Sequence, residues 1–189
     1  MRSSTRLRLR RLDTCEAMTY FMVDVEADGP CPGEYSMISF GAVIVEPGLE
    51  RGFRARLRPV SERWVADALK VSGHTREDTL GFEEPEAVMN SFEKWIRQET
   101  KGQAMFVSDN NGFDWQFVNW YFWRFVGSNP FGHSSMNLGS LYKGLVGDCF
   151  KNFKHLRITK HTHDPLDDAI GNAEALLSMI KQYDLKIKL

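Results

Sequence analysis

The stretch that most constrains this chain is residues 20–30, YFMVDVEADGP. Tyr20, Phe21, Val23 and Val25 suit a buried strand, and Asp28-Gly29-Pro30 stops one. Side chains two residues apart on a strand leave the same face. Asp24 and Glu26 therefore project side by side from an otherwise apolar strand. Carboxylates so placed repel unless a cation sits between them. A divalent metal answers this, since hard cations take carboxylate oxygens. The plainer alternative is an edge strand whose polar face meets water. The rest of the chain has to decide between them.

At 189 residues the chain is one ordinary domain with room for a sizeable core. Its 42% apolar and 26% charged content describes a soluble globular protein, not a disordered or fibrous one. No apolar run approaches the length of a membrane span. Cys15, Cys31 and Cys149 lie far apart, with no CxxC. That argues against a zinc site or disulfide framework built on them and fits a reducing cytoplasm. Net charge is −1, so no basic field advertises nucleic acid. Residues 1–17 hold Arg2, Arg6, Arg8, Arg10 and Arg11 against Asp13 and Glu16, and without them the chain stands at −4. A polyanionic substrate would then be held by local contacts and metal rather than by bulk charge.

Residues 1–17 read as a basic N-terminal extension, disordered or non-native, with Met18 as an alternative start. They lack the long apolar core of a secretory signal. Residues 18–189 read as a single domain. Residues 37–45, MISFGAVIV, form a second strand, and residues 53–59, FRARLRP, a half-exposed third. Short turns make these three an antiparallel meander. Helices are expected over 64–71 and, from apolar spacing, over 84–99. A buried strand over 104–107 and an aromatic helix over 113–126 follow. Residues 137–145 suggest a further helix or a turn into one, 151–162 are basic, and 166–183 form the last helix. Strands first and then alternating α and β indicate a mixed α/β sheet with helices packed on it.

Residues 106–117 read FVSDNNGFDWQF: a strand ends, a turn follows, and a helix begins near Asp114. An acid in a first helical turn is stabilised by the macrodipole whatever its function. The C-terminal ends of strands are also where α/β sheets collect ligands. Asp109, just upstream, is an alternative carrier of that role. On the aromatic helix, Phe113, Phe117, Trp120 and Tyr121 share a packing face. Trp115, Phe122 and Trp123 lie elsewhere and are free for a second contact such as a subunit interface. Residues 161–169, HTHDPLDDA, place His163 on a loop and Asp167 and Asp168 in the first turn of the last helix. Alone, this reads as helix-capping acids and a solvated histidine.

Taken together, these three elements resemble the DEDDh group of 3′–5′ exonucleases, the superfamily of polymerase proofreading subunits, RNase T and oligoribonuclease. Asp24 and Glu26 match its first motif, Asp114 in Asn110-Asn111-Gly112-Phe113-Asp114 its second, and His163 with Asp168 its third. Four residues separate His163 from Asp168, as in the histidine subgroup. Residues 71–75, VSGHT, also look like the family's short turn after its first helix. One departure is Asp109-Asn110, where members often carry His-Asn. The resemblance covers roughly nine-tenths of the chain.

The resemblance implies an RNase H-like fold: a mixed five-stranded sheet, antiparallel meander first, flanked by helices. It implies two Mg²⁺ or Mn²⁺ ions, with Asp24 bridging, Glu26 and Asp168 completing one site, and Asp114 helping to hold the other. His163 would be the general base. The expected reaction releases nucleoside 5′-monophosphates from the 3′ end of single-stranded RNA or DNA, RNA slightly favoured. The alternatives are a DNA exonuclease of proofreading or repair type, an internally cutting nuclease, and an inactive nucleic-acid-binding module on the same fold. The basic segment 151–161 is the expected backbone contact, and relatives' habits suggest a homodimer.

Overall fold

A computed structural model describes residues 17–187 and Leu189. The extension expected over 1–17 lies outside the described residues, apart from Ala17. Strand β1 (Met18–Ala27) is buried on both faces along much of its length, which is why it reads as a nearly continuous apolar run. It pairs antiparallel with β2 (Met37–Ile44), which in turn pairs antiparallel with β3 (Gly52–Arg56). On its other side β1 pairs parallel with β4 (Gln103–Ser108), and β4 with the three-residue β5 (Ser135–Asn137). The described residues thus form the mixed five-stranded sheet, in order β3-β2-β1-β4-β5, with the expected meander leading.

Helices α1 (Ala66–Val71) and α2 (Arg76–Leu80) follow the meander, then α3 (Pro85–Glu99), α4 (Asn111–Phe125), α5 (Leu138–Val146) and α6 (Pro165–Gln182). One face of the sheet, with Phe21, Val23 and Val25 from β1, packs Phe92 and Ile96 of α3 and Phe117 and Tyr121 of α4. The opposite face, with Met22 and Val43, packs Leu138 and Tyr142 of α5 and Ala169, Ala173 and Leu176 of α6. Asp24 and Glu26 share the register of Met22, so they emerge on the α6 side. No helix among the described residues is long and apolar enough to cross a membrane.

Residues 135–137 supply the fifth strand that the resemblance implies but that no sequence segment marks, and α2 is an element with no sequence counterpart. Thr75 and Asp78 cap α2 reciprocally, which holds a short helix between α1 and α3. The buried face of α4 also differs. It runs Asp114, Phe117, Val118, Tyr121 and Phe122, so Phe122 is core and stacks on Phe92 at 5.6 Å. Trp115 is partly buried against Phe106, whereas Trp123 remains exposed. This face carries Asp114 inward with it.

Candidate active site

The site forms where β1 outlasts β4. Their pairing ends at Met22 with Val107. Beyond that point the Val25 N–H donates to Asp114 Oδ1 at 3.2 Å, so a carboxylate from α4 replaces the missing strand. A register shift between Glu26 and Ala27 ends the regular β1–β2 ladder just past the two acids. Asp24 faces Gly41 on β2. A Cβ on Gly41 would fall within 2.3–2.5 Å of the backbone of Pro165 and Leu166. Only a glycine lets the first turn of α6 lie directly on the sheet here.

That first turn divides its three acids. Asp164 caps α6, accepting from Leu166 N at 3.1 Å and Asp167 N at 3.3 Å. It also pairs with Arg54 of β3 at 2.7 Å, which ties the helix end to the sheet. Asp167 turns outward, with Arg54 3.8 Å away. Asp168 is fully buried and turns inward. One carboxylate oxygen from each of Asp168, Asp24 and Glu26 lies within 4.8 Å of the others.

The segment before α6 supports Asp168. Arg157, itself nine-tenths buried, donates from Nη2 to Asp168 Oδ1 at 2.7 Å. Its guanidinium occupies the space a Cβ on Gly171 would need, with Nε 2.4 Å from that position. Glu174 fixes the same loop, accepting from the N–H groups of Ile158 and Thr159 at 2.8 and 2.7 Å and from Thr159 Oγ1 at 2.9 Å. His163 donates its backbone N–H to Asp168 Oδ2 at 3.0 Å, and its Nδ1 lies 3.8 Å from Glu26 Oε1. Its backbone is left-handed (φ 62°), a strained conformation for a residue with a Cβ. His161 stands beside it, with Nδ1 2.7 Å from Asp168 Oδ2.

This crowding raises most of the acids. Burial and the charges of Asp114, Glu26 and Asp168 hold Asp24 well above the usual carboxylate range. Burial, with Asp168 adding to it, pushes Glu26 up to about 7, and burial pushes Asp114 up to about 7. Burial acts on Asp168 too, but hydrogen bonds from Arg157 and His161 outweigh it and leave it below the ordinary value. The donor set is therefore oxygen-rich, convergent and short of positive charge. Those are the properties that a hard divalent cation requires.

The structure brings Asp24, Glu26, Asp168 and His163 together, with Asp114 alongside through Val25. Asp109 lies at the edge of this group, where its charge helps raise Asp114 and is itself acted on by Arg157 and His161. Its backbone carbonyl accepts from Asn137 Nδ2 at 2.9 Å, and its carboxylate lies toward Gly139 at the start of α5. Lys143 and Lys154 share that neighbourhood. In sequence Arg157 and His161 are only two charges of the basic 151–161 segment, although the His-Thr-His spacing offers a signal for His161.

Three comparisons bear on this geometry. The sequence model of the RNase T family, described as exonuclease, matches residues 21–176. The 3′–5′ DNA exonuclease Cap18 of Escherichia coli is 35% identical over 181 residues, covering 90% of this chain and 95% of that protein. The fold is similar to E. coli exonuclease I, solved with a dT13 oligonucleotide, at TM-score 0.69 and 16% identity. That match covers 88% of this chain but only 42% of exonuclease I. It is also similar to cell-death related nuclease 4, at TM-score 0.68 and 15% identity, over 87% of this chain and 64% of that one.

Proposed function

The chain belongs to the RNase T exonuclease family, and from that premise we propose that it removes nucleotides from the 3′ end of single-stranded DNA, releasing nucleoside 5′-monophosphates. The observation that carries this reading is the convergence of Asp24, Glu26 and Asp168, with His163 Nδ1 3.8 Å from Glu26. The relative in E. coli is named a DNA exonuclease, and this favours DNA over the RNA expected from sequence. The catalytic unit is a single domain spanning residues 18–189.

Asp24, Glu26 and Asp168 would hold one Mg²⁺ or Mn²⁺, and Asp24 with Asp114 would hold a second. Bound there, such ions make water nucleophilic near neutral pH and stabilise the leaving oxygen. The chain's own groups do the rest. Arg157 keeps Asp168 ionised and fixed. Asp114, anchored on the β1 backbone, holds its carboxylate beside Asp24. His163 accepts the proton of the attacking water, and exposure of nearly half its side chain leaves the ring room to reach it.

Linear and circular single-stranded DNA of one sequence, with a matched linear RNA, test the reading. Linear DNA should be consumed fastest and circles should survive. Digestion of circles at the linear rate would replace it with internal cutting. Faster loss of RNA would replace the substrate.

A further inference from the structure

His161 and His163 flank Thr162, with ring centroids 4.2 Å apart. Asp168 closes a triangle with them, and one donor atom from each of the three lies within 4.8 Å of the others. The imidazoles are open to solvent, with side chains 52% and 48% exposed, while Asp168 is 1% exposed. An accessible pair of nitrogens thus sits over a rigid carboxylate. Imidazole with a single carboxylate suits Zn²⁺ and its neighbours in the transition series, whereas Mg²⁺ prefers oxygen throughout. The set Asp24, Glu26 and Asp168 is all oxygen. The two sets differ in chemistry yet share Asp168.

We propose that His161, His163 and Asp168 form a second metal site, selective for Zn²⁺ over Mg²⁺, and that filling it switches hydrolysis off. The inhibitory half rests on the exonuclease reading; the binding half does not. Two features produce the antagonism. Asp168 Oδ1 is already engaged by Arg157 at 2.7 Å and by Thr162 N–H at 3.3 Å. Oδ2, which accepts from the His163 N–H at 3.0 Å and faces His161 Nδ1 at 2.7 Å, is the oxygen turned toward the two rings, so a zinc held there draws on the one carboxylate that both sets share. A ring nitrogen of His163 that donates its lone pair to zinc also loses the capacity to accept a proton there. Three protein ligands leave the fourth tetrahedral position open. His161 belongs to this set alone, which makes it the residue that separates the two.

The test titrates Zn²⁺ into the full chain in excess Mg²⁺, with free zinc read by a chromophoric chelator. The comparison proteins are His161→Ala and His161→Asn, each checked for native circular dichroism. The wild type should bind one Zn²⁺, and both variants should bind it about tenfold or more weakly. Co²⁺ should give visible ligand-field absorption in the wild type that the variants lose. In parallel, DNA hydrolysis is followed relative to each protein's own Mg²⁺ rate. Zinc should inhibit the wild type at concentrations the variants resist. Equal zinc affinity in all three proteins would overturn the site. Tight zinc binding that leaves wild-type hydrolysis unchanged would overturn its inhibitory role. If no protein hydrolyses DNA in Mg²⁺, the exonuclease reading fails, and the chelator and Co²⁺ measurements still decide the site.

Discussion

Burial raises Asp24, Glu26 and Asp114, whereas Arg157 and His161 keep Asp168 low. The sign of the linkage follows. An acid raised in the folded state binds more protons there than in the unfolded chain, so stability falls as pH climbs between the two values. For Glu26 the window runs from 4.5 to about 7. In EDTA, melting temperature should therefore fall across it, and Glu26→Gln should flatten the fall by at most about 3 kcal/mol at its upper end. Added Mn²⁺ should restore stability most at the alkaline end. Thermal melts across the window, with and without metal, check this. A flat metal-free profile would remove the electrostatic argument for a cation. Arg157 has the reverse role. Arg157→Gln leaves Asp168 buried without its main partner and should cost about 3–5 kcal/mol in urea denaturation.

Gly41 and α6 form a single device at the level of secondary structure. The helix end that carries Asp168 can touch the sheet because β2 has no side chain at that point. Gly41→Ala should cost about 1–3 kcal/mol by forcing that end away. It should also lower turnover more than an equally destabilising core change such as Val88→Ala. Paired measurements of stability and kcat separate the two effects. The β1 and α6 contributions were legible in the sequence because each is local. DVE on a strand and HDPLDDA at a helix start carry their chemistry within a few residues. The rest was not local. β5 has three residues and exists through its pairing with β4, some thirty positions earlier. Arg157 has meaning only beside Gly171 and Asp168, which a linear reading does not place next to it. Phe122 falls outside the packing face expected from spacing because the aromatic helix offers several apolar stripes, and only the packed sheet selects among them.

Among the described residues, the site draws on the C-terminal half of β1, α4, the 157–163 segment and α6. The two faces of the sheet take part unequally. The α6 side supplies Asp168 and both histidines, while the α4 side supplies Asp114 past the end of β4. Residues held from several elements act as a unit, so removing any one carboxylate should cost nearly all of the rate. Glu174 extends that unit to a group remote from the acids. Glu174→Ala frees the backbone of Ile158 and Thr159 and should reduce turnover about tenfold or more while shifting stability modestly, a contrast that kinetics and melting together would reveal.

The proposed centre is built on these carboxylates, depends on metal and acts at 3′ ends. Single-turnover digestion of 5′-labelled single-stranded DNA tests it most directly, with Mg²⁺ or EDTA, beside Asp24→Asn. A ladder should shorten from the 3′ end in Mg²⁺, vanish in EDTA, and form about a thousandfold or more slowly with the folded variant. A ladder that persists in EDTA, or an Asp24→Asn protein that keeps the wild-type rate, would contradict it.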